Sequence, residues 1–152
     1  MLDELYKMIT KELQKFCDRE EFDVIVGNDT EFYCYTEDNE VFYTLQVLDF
    51  QAEWFMENAF NNGLKYDCGN FLLSFLHEIG HCQTEPLLTK GQRISRTKRK
   101  KGLDGNIRED NFYYFNLVDE KMATDWAIEY ANTHKKELRK LARKIQKILA
   151  EY

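Results

Sequence analysis

Apolar residues in this chain recur at helical spacing over stretches too long for strands, and that periodicity decides most of what the chain can fold into. Leu2, Leu5, Tyr6, Ile9, Leu13 and Phe16 fall at three- and four-residue intervals. They share one face of a helix of about four turns. Phe71, Leu72, Phe75, Leu76 and Ile79 make a second stripe, in a helix expected over about 70–83, and Pro86 falls just past its end. A third helix is expected from about Asn116 to Ala131, with Asn132-Thr133 as its break. A last amphipathic helix then runs to the C-terminus on Leu138, Leu141, Ile145 and Leu149, with a basic opposite side.

The residues between the first two stripes read differently. Residues 21–29 are β-rich and close on Gly27-Asn28-Asp29, good turn chemistry. Residues 31–36 and 41–47 flank the polar turn Glu37 to Glu40. The three runs predict an antiparallel meander. Residues 50–60 read as a short helix or a further extended piece, ended by Asn61-Asn62-Gly63. Residues 84–110 carry few large apolar groups and many charges, and read as a long loop. The expected class is α+β, with a small antiparallel sheet packed against helices. Nothing divides the chain: 1–152 reads as one domain, without internal repeat or linker. Eleven Phe and nine Tyr exclude a disordered chain.

The formal net charge of −6 argues against general nucleic-acid binding. The charge is uneven, however. Lys90 to Lys101 holds seven Lys or Arg and no acid. Such a run is ordinarily a solvated loop, but Arg93, Arg96, Lys98, Arg99, Lys100 and Lys101 form a candidate anion-binding set. The four cysteines, Cys17, Cys34, Cys68 and Cys82, contain no CxxC pair. Free thiols in a reducing cytosol are expected. The amphipathic N-terminus is not a signal peptide, and no apolar run approaches the ~18 residues of a membrane helix. The expectation is a soluble cytoplasmic protein with no membrane partner.

Residues 77–81 read His-Glu-Ile-Gly-His. Histidines four apart stand one above the other on a helix, so both imidazoles reach one metal ion. The residue after the first histidine projects beside that metal, where a carboxylate can take a proton from water. Zinc suits such nitrogen and oxygen ligands in tetrahedral geometry. The bland alternative is a chance spacing. Against it, the motif lies within an amphipathic helix, uses two of three histidines, and leaves His77 and His81 on the flank of the apolar stripe. Gly80 costs a helix about 1 kcal/mol against Ala. It makes sense where another element approaches closely.

A third ligand is required. Glu120 shares a helical face with Ala123, Ala127 and Ala131, small residues that allow tight packing on the motif helix. Met122, Trp126 and Tyr130 form a second stripe that holds the helix in the core. The bland reading is an exposed glutamate on an ordinary helix. Asp119, Asp125 and Glu129 are weaker candidates for the same role.

The motif at 77–81 followed by the pattern at 120–127 resembles the gluzincin zinc metallopeptidases. The organisation is similar to their small members, the minigluzincins and the ImmA/IrrE-type domains. That resemblance covers about residues 1–131 and implies a zincin-like fold: a helix and small sheet, then the motif helix, then a glutamate helix. It implies one zinc per chain on His77, His81 and Glu120, with Glu78 as catalytic base. Two departures stand out. Glu120 lies 39 residues beyond His81. Thr124 occupies the place where many thermolysin-like enzymes carry an aspartate that orients a histidine, and Asp125 follows it.

The leading function is hydrolysis of a protein or peptide, with a regulatory role implied by resemblance. His134, Tyr113, Tyr114 and Tyr130 are candidate donors to the transition state. The alternative is a catalytically silent zinc-containing module that docks nucleic acid or another anion through residues 90–101. An intact Glu78 weighs against it, since a structural site has no use for a base. Cys82 lies about 100° around the helix from His81, and reads as a small buried residue with a cysteine-switch role as the sharper alternative.

Overall fold

The computed structural model describes residues 2–17, 22–101 and 116–152, without the side chains of Phe50 and residues 97–101. Six α-helices and three short strands lie within these residues. In order they are α1 (Leu2–Cys17), β1 (Asp23–Val26), β2 (Tyr33–Tyr35), β3 (Glu40–Tyr43), α2 (Asp49–Asn61), α3 (Asn70–Thr84), α4 (Lys90–Lys101), α5 (Val118–Thr133) and α6 (Lys135–Ala150). The class is α+β. No helix among the described residues is long and apolar enough to cross a membrane.

The sheet differs from the expected meander. Its order is β1-β3-β2, with β2 antiparallel to β3 but β1 parallel to it. β3 takes the centre because Val41 and Tyr43 can both be buried there, opposite Val24 and Val26 of β1 and Cys34 of β2. The tight β2–β3 turn uses Asn39 in the left-handed region (φ 51°), which asparagine tolerates well. The outer edge of β1 is closed by α1: Gln14 Oε1 accepts from the Val24 N–H at 2.8 Å, and its amide donates to the Phe22 carbonyl. Tyr43 reaches the same helix, its hydroxyl donating to the Tyr6 carbonyl at 3.0 Å and accepting from Thr10 Oγ1 at 2.7 Å.

Helical periodicity sets the rest of the core. Leu5, Ile9, Leu13 and Cys17 of α1 are buried four residues apart and pack against β1 and α6. On α6 the buried set is Leu138, Leu141, Ile145 and Ile148, whereas Leu149, expected in the stripe, is 42% exposed. The three-four-three spacing follows the seam facing α1 more closely than a further four-residue step. Residues 50–60 resolve as helix α2, which buries Phe55 and Ala59.

The segment expected as a long loop is, where described, structured. Glu85–Leu87 form a 3₁₀ turn around Pro86, and α4 follows. Thr89 caps it: Thr89 Oγ1 accepts from the Gln92 N–H at 3.1 Å, and Gln92 Oε1 accepts from the Thr89 N–H at 2.8 Å. This reciprocal pair is a capping box. Lys, Arg and Gln also favour helix well enough to continue it.

Candidate metal centre

The site is made where α3 and α5 touch most closely. Gly80 makes that approach: a β-carbon there would lie 2.5 Å from the main-chain oxygen of Ala123 and 3.1 Å from its Cα. Ala123, Ala127 and Ala131 are buried along the same contact. Small side chains on both helices let the backbones come together. One turn before Ala123, that proximity delivers Glu120 to the histidines.

His77 Nε2 and His81 Nε2 each lie 2.9 Å from Glu120 Oε2. The imidazole centroids are 4.7 Å apart and nearly perpendicular, at 88°. One donor atom from each of the three side chains falls within 4.8 Å of the others. Tetrahedral ligands about 2.0–2.1 Å from one zinc ion stand about 3.3 Å from each other. The observed spacing therefore opens by a few tenths of an ångström to accept the ion, and the donor set fits.

Burial strengthens that fit. Glu120 is 2% exposed, which removes the reading of a solvated surface glutamate. Burial by itself would push its carboxyl up. The charge of His81 and the imidazole hydrogen bonds outweigh it and hold the carboxyl well below the usual range. A carboxylate kept ionised at this depth needs a cationic partner beside it.

His77 is also held from behind. Thr124 Oγ1 lies 3.0 Å from its Nδ1, and Phe55 packs against the ring with centroids 5.6 Å apart. With a cation on Nε2, Nδ1 carries the proton and donates to the threonine hydroxyl, which fixes tautomer and ring orientation together. Thr124, four residues after Glu120, thus occupies the orienting position with a hydroxyl in place of a carboxylate.

Glu78 lies on the wall of a cavity of about 710 Å³ together with the three donor residues. Strand β2 borders it through Tyr33 and Cys34, α2 through Gln51, Trp54 and Phe55. Cys34 shares the cavity wall with Glu78. The neighbouring Cys82 side chain, burial and the Glu78 charge push its thiol up. Sequence reading missed this neighbour, because nothing in the spacing places residue 34 on the same wall as residue 78.

The other candidates separate. Asp119 is buried on the cavity wall with its Oδ2 4.0 Å from Arg96 Nη1. Asp125 is solvent-exposed and pairs with Lys121 at 3.1 Å, and Glu129 is exposed. None of the three joins the histidines. His134 and Tyr130 are not brought to the cavity either: their rings stack on each other at 3.8 Å where α5 meets α6. Apolar stacking and the Tyr130 carbonyl, 3.0 Å from His134 Nδ1, hold the imidazole there. Tyr113 and Tyr114 lie outside the described residues. Of the basic set, Arg96 pairs with Glu85 Oε2 at 2.7 Å, and Arg93 donates to the Glu85 carbonyl at 2.7 Å. Both are thus drawn toward Glu85, and Arg96 lies between it and Asp119. The side chains of Lys98, Arg99, Lys100 and Lys101 lie outside the described residues.

Comparison of the chain with family models, with curated proteins and with solved structures returns no match.

Proposed function

We propose that this protein is a zinc-dependent metallopeptidase of the gluzincin type, with a zincin-like active site. One observation carries the reading: His77, His81 and Glu120 converge to hold a metal in the same cavity wall that presents Glu78. A structural zinc site needs no adjacent carboxylate outside its ligand set, whereas hydrolysis needs one.

His77, His81 and Glu120 would hold the zinc, which would supply Lewis acidity and make water available as a nucleophile near neutral pH. Glu78 takes the proton from the attacking water and returns it to the leaving amine. Its place immediately after His77 keeps it beside the ligand pair through both transfers. Thr124 keeps His77 oriented, and Phe55 covers the ring from the α2 side. Among the described residues β2 pairs only with β3. The strand borders the cavity through Tyr33 and Cys34, and a strand edge of this kind takes an extended peptide by main-chain hydrogen bonds.

The test compares wild type with Glu78→Gln. Elemental analysis should find about one zinc per chain in both. Hydrolysis of a peptide that wild type cuts should fall by about 10²–10⁴-fold in the variant. Full activity in Glu78→Gln would exclude the base. A wild type that takes up no zinc would exclude the reading altogether.

A further inference from the structure

The solvent face of α6 carries charge of one sign. Lys135, Lys136, Arg139, Lys140, Arg143, Lys144 and Lys147 share the helix with a single acid, Glu137, and all of them are exposed. Leu138, Leu141, Ile145 and Ile148 hold the opposite side against α1. At about 100° per residue, Lys136, Lys140, Arg143 and Lys147 form one stripe that points directly away from that contact. Cations three and four residues apart repel each other, and Lys135 and Lys136 stand at the positive end of the helix dipole. Folding requires none of this. α1 is also amphipathic, but it mixes signs: Lys7 pairs with Glu4 at 3.4 Å and Lys15 with Glu12 at 3.5 Å. Mixed signs mark a face built for solvent. On α6 only Lys144 has a carboxylate within ion-pair distance among the described residues, and it borrows the same Glu12 of α1, at 3.5 Å. Lys135 and Arg139 stand over the Tyr66 ring instead. The chain as a whole carries −6, so this positive field is local to one helix.

We propose that this basic face of α6 docks on the phosphate backbone of double-stranded DNA. The stripe from Lys136 to Lys147 is about 16 Å long at 1.5 Å per residue, and the major groove is about 12 Å wide. A helix laid across the groove therefore reaches phosphates on both of its rims, and the phosphates relieve the repulsion along the stripe. The side of α6 that packs on α1 keeps the helix from sinking into the groove to read base edges. Its contacts are to phosphate, and binding is independent of sequence. A lipid surface fits less well. A basic amphipathic helix holds a membrane by burying its apolar face, and that face of α6 is spent on α1, with Leu149 and Tyr152 exposed only at the end of the helix. The surface is separate from residues 90–101, whose Arg93 and Arg96 are drawn to Glu85. It stands independently of the proposed proteolysis.

The test titrates the whole chain into a short fluorescein-labelled DNA duplex and follows anisotropy between about 50 and 200 mM salt. Two duplexes of unrelated sequence should bind alike. The logarithm of the binding constant should fall with the logarithm of salt at a slope of about −3 to −4, as four phosphates at about 0.9 each require. Lys136→Gln, Lys140→Gln, Arg143→Gln and Lys147→Gln should each weaken binding to both duplexes and reduce the slope by about 1. The four together should abolish binding and leave Tm unchanged or raised, because they relieve repulsion and touch no core residue. Lys→Arg at 136, 140 and 147 should keep the affinity. No anisotropy change at about 10⁻⁴ M protein and about 50 mM salt would overturn the proposal. So would full binding by the fourfold variant, or loss of binding in Lys98→Gln/Lys100→Gln, which would move the contact to residues 90–101. Equal or tighter capture by phosphatidylserine vesicles or by poly-glutamate would assign the face to a membrane or an acidic protein and overturn it as well.

Discussion

Gly80→Ala tests the contact on which the whole site depends. The added β-carbon would sit 2.5 Å from the Ala123 oxygen and 3.1 Å from its Cα, where ordinary contact begins at 3.4 Å. The obstacle is main chain, so no rotamer relieves it. The helices must part by about 0.9 Å, the difference between those distances. Alanine gains about 1 kcal/mol in helix propensity. Overpacking costs about 1–3 kcal/mol, and a gap of that width forfeits a quarter to a half of the dispersion contact along Ala123, Ala127 and Ala131. We expect a net loss of about 1–2 kcal/mol, or about 2–8 °C in Tm for a chain of this size. The same displacement moves Glu120 from its 2.9 Å contacts with both imidazoles. Zinc affinity should drop at least about tenfold, as when an orienting partner is lost. Thermal unfolding of zinc-free protein and a chelator-competition titration read the two effects separately. Ala123→Gly should not rescue either one, because the collision is with backbone. A Gly80→Ala protein that gained about 1 kcal/mol and kept its zinc affinity would refute the close-contact argument.

Thr124→Val keeps the shape of the side chain but removes the partner of His77 Nδ1. Zinc affinity should weaken about 10–100-fold, while Thr124→Ser stays near wild type in the same titration; equal affinity in all three would remove Thr124 from the site. Glu120→Ala and His81→Ala should each lose or weaken the single zinc counted by elemental analysis, and an unaffected Glu120→Ala would move the third ligand elsewhere. Burial pushes the Tyr43 phenol from 10.0 up to about 12, against the Thr10 hydrogen bond that pulls it down. The folded state therefore holds this proton longer than the unfolded chain, so stability is whole below pH 10 and declines as pH rises toward about 12, by about 3 kcal/mol in all. Urea midpoints followed across that range should fall less steeply in Tyr43→Phe; Tyr66, also pushed up to about 12, still titrates in that variant.

How much of this can be read from sequence depends on whether the determining contact is local. The stripes on α1 and α3 and the histidine spacing are properties of a single helix, so periodicity finds them. Gly80 and the alanines after Glu120 are legible for a related reason: a costly glycine and a row of small residues both announce a close neighbour. Glu120 follows, because a carboxylate inside that row is carried to the same contact. The direction of β1 is not encoded this way. Its residues suit either neighbour, and the chain between β1 and β2 settles which edge it joins. α4 was within reach, since Thr89 and Gln92 stand at capping-box spacing, but the density of charge in residues 84–110 masks it. Ile148 and Leu149 differ by one residue, and only the partner helix decides which faces inward. The neighbours of Glu78 are a purely tertiary fact. Cys34 shares its cavity wall from more than forty residues away in sequence.

The clasp between α1 and α6 has a consequence for the order in which the molecule can be completed. The candidate ligands all lie between residues 77 and 120, while the clasp joins helices at opposite ends of the sequence. Synthesis therefore delivers the whole candidate ligand set before α6 exists. Throughout that interval α1 has β1 to lean on but lacks the cover that Leu138, Leu141, Ile145 and Ile148 bring. Contacts this distant in sequence form late, because a long loop must close first. α1 is thus made before the helix that shelters it, and its apolar face is the surface through which a nascent chain of this protein is most open to aggregation with its neighbours.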